Sequence, residues 1–260
     1  MPESPDADLE LALRLADAAD RITLSRFQAA DLRIERKPDR TPVTDADTAA
    51  EDAIRAMLAA ERPADAVLGE ERGGTLTGRG WILDPIDGTK NYSRGLPVWA
   101  TLIALAEAGR PLVGVASAPA MGRRWWASAG AGAFTRDIDG SERRITVSGV
   151  GELADACLST TELSTWAEQG SLERYLALAA QCWVVRAFGD FWQHVLVAEG
   201  AIDLGIDAEA STWDLAALQL IVTEAGGRFT DLGGAARFDG GSGISSNGAL
   251  HDVALAQLRA

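Results

Sequence analysis

Six consecutive residues, Asp84-Pro85-Ile86-Asp87-Gly88-Thr89, place two carboxylates three positions apart and follow them with a glycine and a hydroxyl. The proline restricts the backbone of its predecessor, so the two aspartates project from a stiff turn. Hard divalent cations take oxygen ligands, and Mg²⁺ prefers one or two carboxylates, water and phosphate oxygens. Asp84 and Asp87 can share one such ion or hold one each, with the carbonyl of Ile86 as a further oxygen on the same turn. Gly88 lets a backbone approach an anion closely. The N–H groups there can receive phosphate oxygens, as at a nest or helix N-terminus. The Thr89 hydroxyl can exchange hydrogen bonds with a water, and a carboxylate behind it would orient that water for attack.

Further acidic residues lie at the ends of apolar stretches: Glu70 after one short strand, Asp214 at the start of a helix, and Asp47 with Glu51 four positions on. Each has an ordinary reading when taken alone. Asp214 reads as a helix N-cap, Asp47 and Glu51 as a solvated helix face, Glu70-Glu71 as surface charge, and Asp84-Pro85 as a turn. Their joint occurrence is what points to chemistry. The net charge of −14 repels nucleic-acid backbones and anionic membranes. An anionic substrate would therefore need a local cation, which a bound metal supplies. Cys157 and Cys182 lack metal-ligand spacing and read as buried thiols in a reducing compartment. His194 and His251 read as residues of helices rather than as metal ligands.

The elements that must position these groups follow from periodicity. Leu9, Leu13, Ala16, Ala19 and Leu24 predict an amphipathic helix over residues 6–30. Residues 35–42 carry two prolines and read as a loop. Thr44 or Asp45 would cap a helix over about residues 47–60, with Ile54, Met57 and Leu58 on its buried face and Asp47 and Glu51 on one side of its first turns. Val67-Leu68 is a short strand leading into Gly69-Glu70-Glu71, and Trp81-Ile82-Leu83 is another, ending at Asp84. Residues 98–106 and 111–118 read as apolar strands around a turn, and residues 125–134 as further strand. The first half is thus helices followed by a mostly antiparallel sheet. Beyond it come a helix over 171–181, a strand at 183–185, and a helix over 191–199 stopped by Gly200. An alternating strand at 202–207 follows. Trp213-Asp214 then opens a helix that carries Leu215, Leu218, Ile221 and Val222. The glycines of 240–243 read as a surface loop.

The 260 residues, 47% hydrophobic and 24% charged, suit one large domain with a sizeable core. The expected organisation is a single domain over 1–260 with two lobes, roughly 1–140 and 141–260. The N-terminal residues show no basic segment followed by an apolar one, and no apolar run reaches the about 20 residues that span a bilayer. A soluble cytoplasmic protein is expected.

The hexamer at 84–89 resembles the signature of the inositol-monophosphatase family of metal-dependent phosphatases. The resemblance covers nearly the whole chain. It includes Val43-Thr44-Asp45-Ala46-Asp47 with Glu51, Gly69-Glu70-Glu71, Trp81 to Thr89, Trp213-Asp214 and Thr223-Glu224-Ala225-Gly226-Gly227, in that order. It implies an α/β fold, a five-layered α-β-α-β-α sandwich of the inositol-monophosphatase/fructose-bisphosphatase type, and a homodimer. It further implies that Glu70, Asp84 and the Ile86 carbonyl hold one metal ion and that Asp84, Asp87 and Asp214 hold a second. A weaker third ion would lie near Glu70. The ions would be Mg²⁺, with Mn²⁺ able to substitute. Thr89, supported by Asp47, would orient the attacking water, and Gly88 and Thr89 would contact the phosphate. Asp45 falls outside the family's register. A phosphate monoester needs its oxygens neutralised and a water aligned opposite the leaving group, and divalent cations serve both needs.

The substrate is read from Arg186-Ala187-Phe188-Gly189-Asp190-Phe191-Trp192, where inositol-type members carry a small or hydroxylated residue in place of Asp190. A carboxylate beside aromatic rings suits a cationic, planar leaving group. Asp190 would pair with the ammonium of histidinol phosphate while Phe191 or Trp192 packs on its imidazole. Asp207, at the polyol-contacting position of inositol-type members, or Glu209 would bind the amine. Residues 37–47 and 88–101 likewise resemble members that hydrolyse histidinol phosphate, in histidine biosynthesis. The alternatives are an inositol-1-phosphate phosphatase, a broad sugar-phosphate phosphatase, or an idle binding protein of the same fold. The last is disfavoured because every metal and water-orienting position holds a competent residue. For Asp190 the competing role is a helix cap, and for Phe191 and Trp192 it is core packing.

Overall fold

The computed structural model describes residues 5–38 and 41–259; Asp39 and Arg40 of the expected 35–42 loop lie outside the described residues. The chain opens with α1 (Pro5–Arg26), a hairpin of β1 (Ile34–Arg36) and β2 (Pro42–Thr44), and α2 (Asp45–Glu61). A seven-stranded sheet follows. It is built from β3 (Ala66–Gly69), β4 (Arg79–Asp87), β5 (Ala100–Glu107), β6 (Arg110–Ala118), β7 (Arg123–Ser128), β8 (Gly132–Arg136) and β9 (Glu142–Ile145), in sequence order, with the short helix α3 (Thr89–Ser93) after β4. Only β3 and β4 run parallel; every other pairing is antiparallel, as expected for a meander of short turns.

The second sheet is five-stranded, in the order β11-β10-β12-β14-β13. Its strands and the helices around it are β10 (Cys157–Thr160), α4 (Leu163–Glu168), α5 (Leu172–Ala179), β11 (Val184–Arg186), α6 (Asp190–Ala198), β12 (Leu204–Asp207), α7 (Thr212–Glu224), β13 (Arg228–Thr230), β14 (Gly243–Ser246) and α8 (His251–Arg259). Helices α1 and α2 cover one face of the large sheet, α6 and α7 fill the space between the sheets, and α5 and α8 cover the far face of the small one. The result is the expected α-β-α-β-α sandwich. Its middle layer explains the composition of α7, where Leu215 to Val222 are all buried, because a helix enclosed between two sheets has no solvent face.

Several local expectations change. Residues 35–42 are not one loop, since β1 and β2 pair antiparallel from Ile34↔Thr44 to Arg36↔Pro42. The side chains of β1 are all exposed, so no alternation was there to be read. In α1 the buried stripe runs through Leu11, Ala12, Leu15, Ala16 and Ala19, and Leu24 stands 45% exposed. Strand β4 continues through Asp87 rather than ending at Asp84. Gly243 is buried in β14, not part of a surface loop. Cys157 and Cys182 are half-buried.

Asp47 and Glu51, far from solvated, are fully buried. The site lies where strand ends and helix starts converge. Asp84 and Asp87 lie toward the end of β4 and Asp207 is the last residue of β12, whereas Asp47, Asp214 and Asp190 sit in the first turns of α2, α7 and α6.

Candidate active site

Between Asp84 and Asp87 the pairing of β4 with β5 shifts register. Pro85 can donate nothing to a ladder, and its carbonyl accepts from the Thr101 hydroxyl at 2.8 Å instead. Asp84 folds back to accept from the Ile86 N–H at 3.0 Å. Asp87 accepts from the Phe191 N–H at 2.6 Å, which ties β4 to the start of α6. Ser211, not Asp214, is the N-cap of α7; Asp214, at the third helical position, accepts from the Ser211 N–H at 2.7 Å to close a capping box, and only one of its oxygens is used. The carboxylates of Asp84, Asp87 and Asp214 each bring an oxygen within 4.8 Å of the others.

Burial, followed by repulsion from Glu70, Asp87 and Asp214, pushes Asp84 well above the usual carboxylate range. Burial and the Asp190 and Asp214 charges do the same to Asp87. Burial also raises Asp214 to about 7. Three converging, sequestered carboxylates that resist ionisation are a donor set that a hard divalent cation fits, because it supplies the missing positive charge. Glu70 lines the same cleft but stands outside this trio. It accepts from Lys37 Nζ at 2.7 Å, and Glu71 accepts from the same nitrogen at 2.8 Å. Burial alone would lower the Lys37 pKa, but these two bonds raise it.

The capping of α2 sets the next pair. Thr44 donates from its backbone N–H and its hydroxyl to Asp47 Oδ2, at 2.8 and 2.5 Å. Asp47 Oδ1 is left 3.2 Å from the Thr89 hydroxyl, which also lies 2.8 Å from the Ile86 carbonyl. Burial raises Asp47 to about 7. Gly88 has φ 84°, and a Cβ there would sit 3.0 Å from the Val98 carbonyl, so the turn needs glycine. Asp45, outside this arrangement, accepts from Arg26.

Glu51 is a functional residue that sequence reasoning placed but did not explain. It accepts from the Glu71 and Arg72 N–H groups at 2.8 and 3.1 Å and from Arg55 at 2.7 Å, holding the turn that carries Glu70. Gly69 packs so closely that a Cβ there would meet Glu51 Oε1 at 2.1 Å. The four-residue spacing from Asp47 was the available signal.

An open cleft of ≈910 Å³ is lined by Glu70, Asp84, Ile86, Asp87, Gly88, Thr89 and Asp214, and reaches Asp190, Asp207 and Glu209. A recess of ≈70 Å³ opens between Asp87, Asp190, Phe191, Asp207 and Asp214. Asp190 is not the cap of α6; Gly189 is. Asp190 sits at φ 47°, a left-handed conformation uncommon for a non-glycine residue. It accepts from Asn91 Nδ2 at 3.0 Å, and burial, with the nearby Asp207, raises it to about 6. Asp207 is buried and takes hydrogen bonds from Thr161, Gln193 and His194. Glu209 is exposed at the rim. Phe191 is fully buried against Trp125 with its ring in the core, and Trp192 packs on Phe188. The expected stack of either ring on a substrate gives way to core packing, although Phe191 does form one wall of the recess. His194 faces the interior rather than solvent. Thr161, Gln193 and His194 carried no spacing signal, because what links them to Asp207 is tertiary contact.

A layered sandwich whose buried aspartates converge beside a carboxylate-backed hydroxyl and a glycine turn defines a metal-dependent phosphomonoesterase. Residues 5–260 match the inositol monophosphatase family, and the chain belongs to it. It is 57% identical over 256 residues to a histidinol-phosphatase of Mycobacterium tuberculosis, covering 97% of this chain and 98% of that one. It is 54% identical to a histidinol-phosphatase of Streptomyces coelicolor, covering 99% and 98%. Among solved structures, an inositol monophosphatase from Zymomonas mobilis superposes with a TM-score of 0.86 at 33% identity, covering 99% of this chain and 100% of that one.

Proposed function

We propose that the chain hydrolyses L-histidinol phosphate to L-histidinol and phosphate, as a cytoplasmic enzyme of histidine biosynthesis. The observation that carries this reading is the recess beside the aspartate cluster, walled by the two carboxylates Asp190 and Asp207. An inositol ring would bring only hydroxyls to these charges, whereas histidinol brings an ammonium. The identity to two proteins named histidinol-phosphatase supports the same choice.

Asp84, Asp87 and Asp214, with Glu70 and the Ile86 carbonyl, would hold two or three divalent ions, Mg²⁺ or Mn²⁺. When bound, such ions neutralise phosphate oxygens and make the attacking water more acidic. The chain does the rest. Asp47 Oδ1 accepts a hydrogen bond from the Thr89 hydroxyl, which leaves the Thr89 lone pairs to accept from the attacking water and aim it. Gly88 admits the phosphate against the backbone, next to Thr89. Asp190 and Asp207 draw the ammonium into the recess, and Glu209 at the rim attracts it. Most of the phosphate's charge must be met by bound cations, because Lys37 and Lys90 in the cleft are already paired with Glu70, Glu71 and Glu162. The working form is a homodimer, as the family resemblance implies; light scattering would measure it.

The test is phosphate release with Mg²⁺ from histidinol phosphate, inositol 1-phosphate and fructose 1,6-bisphosphate. The expected result is a kcat/KM at least tenfold higher for histidinol phosphate. A tenfold preference for inositol 1-phosphate would overturn the reading.

A further inference from the structure

Asp207 is aimed by other side chains. His194, on α6, brings Nε2 to 2.7 Å from Asp207 Oδ2. Thr161 Oγ1 and Gln193 Nε2 stand 2.5 and 2.8 Å from Oδ1. The other ring nitrogen, Nδ1, lies 2.6 Å from the hydroxyl of Ser245 on β14. Ser245 pairs in register with Gly205, two residues before Asp207. A hydrogen-bonded chain therefore runs from the buried centre of the small sheet, through His194, to the wall of the recess.

The Thr161 hydroxyl joins the second carboxylate to the first. It gives its single hydrogen to Asp207 and accepts the Asp190 N–H at 2.9 Å. Asp190 is held at its left-handed φ of 47° by this bond and by Asn91. Strain of this kind persists where the surroundings over-determine it, and it gathers at functional sites.

We propose that His194 is a positioning residue which, together with Thr161, fixes Asp207 at the angle from which it and Asp190 receive the ammonium group of the substrate. This rests on the histidinol phosphate reading above. A histidine that merely satisfied the core would have partners facing only the interior. Of the two partners of His194, Ser245 lies in the buried sheet and Asp207 lines the recess.

The geometry gives a discriminating pair of substitutions. The side-chain nitrogen of glutamine lies the same number of bonds from Cβ as imidazole Nε2, so His194→Gln keeps a donor for Asp207. Asparagine reaches only as far as Nδ1, so His194→Asn loses it. Kinetics on histidinol phosphate and on 2-glycerophosphate, whose leaving group carries no cation, would be run on His194→Gln, His194→Asn, His194→Phe and Thr161→Val. The expected result is that His194→Asn, His194→Phe and Thr161→Val raise KM for histidinol phosphate tenfold or more. kcat should change less than threefold, KM for 2-glycerophosphate should rise far less, and His194→Gln should stay within threefold of wild type. The calorimetric affinity for L-histidinol should fall by the same factors. Should His194→Phe fail to fold, the glutamine and asparagine pair decides. An equal KM rise on both esters, or asparagine performing as well as glutamine, overturns the inference. A wild-type chain without preference for histidinol phosphate would overturn the underlying reading, and the inference with it.

Discussion

Asp47 and Asp190 are both buried carboxylates beside the cleft, and their partners give them different tasks. Asp47 has one oxygen locked by Thr44 and one turned to Thr89. Asp47→Asn can present its amide to Thr89 instead of an acceptor, which turns the hydroxyl's lone pairs away from the water. We expect kcat to fall by roughly 10²- to 10⁴-fold, the usual weight of a well-placed acid–base group, with KM changed little; steady-state phosphate release would measure it. Asp190 is raised from its ordinary 3.8 to about 6, so the folded state disfavours its ionised form, and its stabilising contribution is lost as pH rises through about 6. Asp190→Asn removes that charge and tolerates the left-handed backbone. It should stabilise the chain at pH 8 by about 1–2 kcal/mol after allowance for screening, by about half as much at pH 5 and by little at pH 4, while losing preference for a cationic leaving group. Urea titrations at these pH values would show it. At this scale the sequence was legible where ligands lie close along the chain, as at Asp84 and Asp87. It was silent on Thr161 and His194, which lie 46 and 13 residues from the Asp207 they touch.

The elements were legible where periodicity reports a buried face and obscure where the backbone alone does the work. Helices α2 and α7 stand close to where Thr44, Ile54, Leu58, Leu215 and Ile221 placed them. Strands β1 and β2 escaped notice because β1 buries no side chain, and the extension of β4 was hidden by Pro85, which normally argues against a strand interior. The turn after β3 shows what such local detail is for. Glu51, from α2, holds the Glu71 and Arg72 N–H groups, and Gly69 makes room for it. Gly69→Ala would drive a methyl into Glu51 Oε1, and Glu51 can move aside only by giving up its bonds to the Glu71 and Arg72 N–H groups and to Arg55. We expect a loss of about 1–3 kcal/mol, as for other overpacked sites, together with weaker Mg²⁺ affinity because Glu70 is displaced. Chemical denaturation and Mg²⁺ titration should show both effects, and unchanged Mg²⁺ affinity would separate Glu70 from the metal site.

At the scale of the whole molecule, a chain of net charge −14 gathers Asp47, Asp84, Asp87, Asp190, Asp207, Asp214 and Glu70 at one cleft. No helix of the described residues is long and apolar enough to cross a membrane. Asp190 is raised to about 6, Asp47 and Asp214 to about 7, and Asp84 and Asp87 well above the ordinary range. In the unfolded chain these groups release their protons near pH 4. Between about pH 4 and pH 7 the cation-free folded form holds protons that the unfolded form has given up, so folding stability falls as pH rises across that window. Repulsion across the rest of the acidic surface adds in the same direction. The melting temperature with a chelator present should therefore be higher at pH 5 than at pH 7.5. Mg²⁺ binds the folded carboxylates and reverses the loss, by about 2.7 kcal/mol for each site filled at a hundred times its dissociation constant. NaCl at equal ionic strength should recover only part of this, since screening acts weakly on buried charges. Calorimetric melts at the two pH values, with chelator, Mg²⁺ or NaCl, would measure all three effects. A melting temperature indifferent to Mg²⁺ at pH 7.5 would mean that the aspartate cluster holds no cation, and the phosphatase chemistry assigned to it would fall with that result.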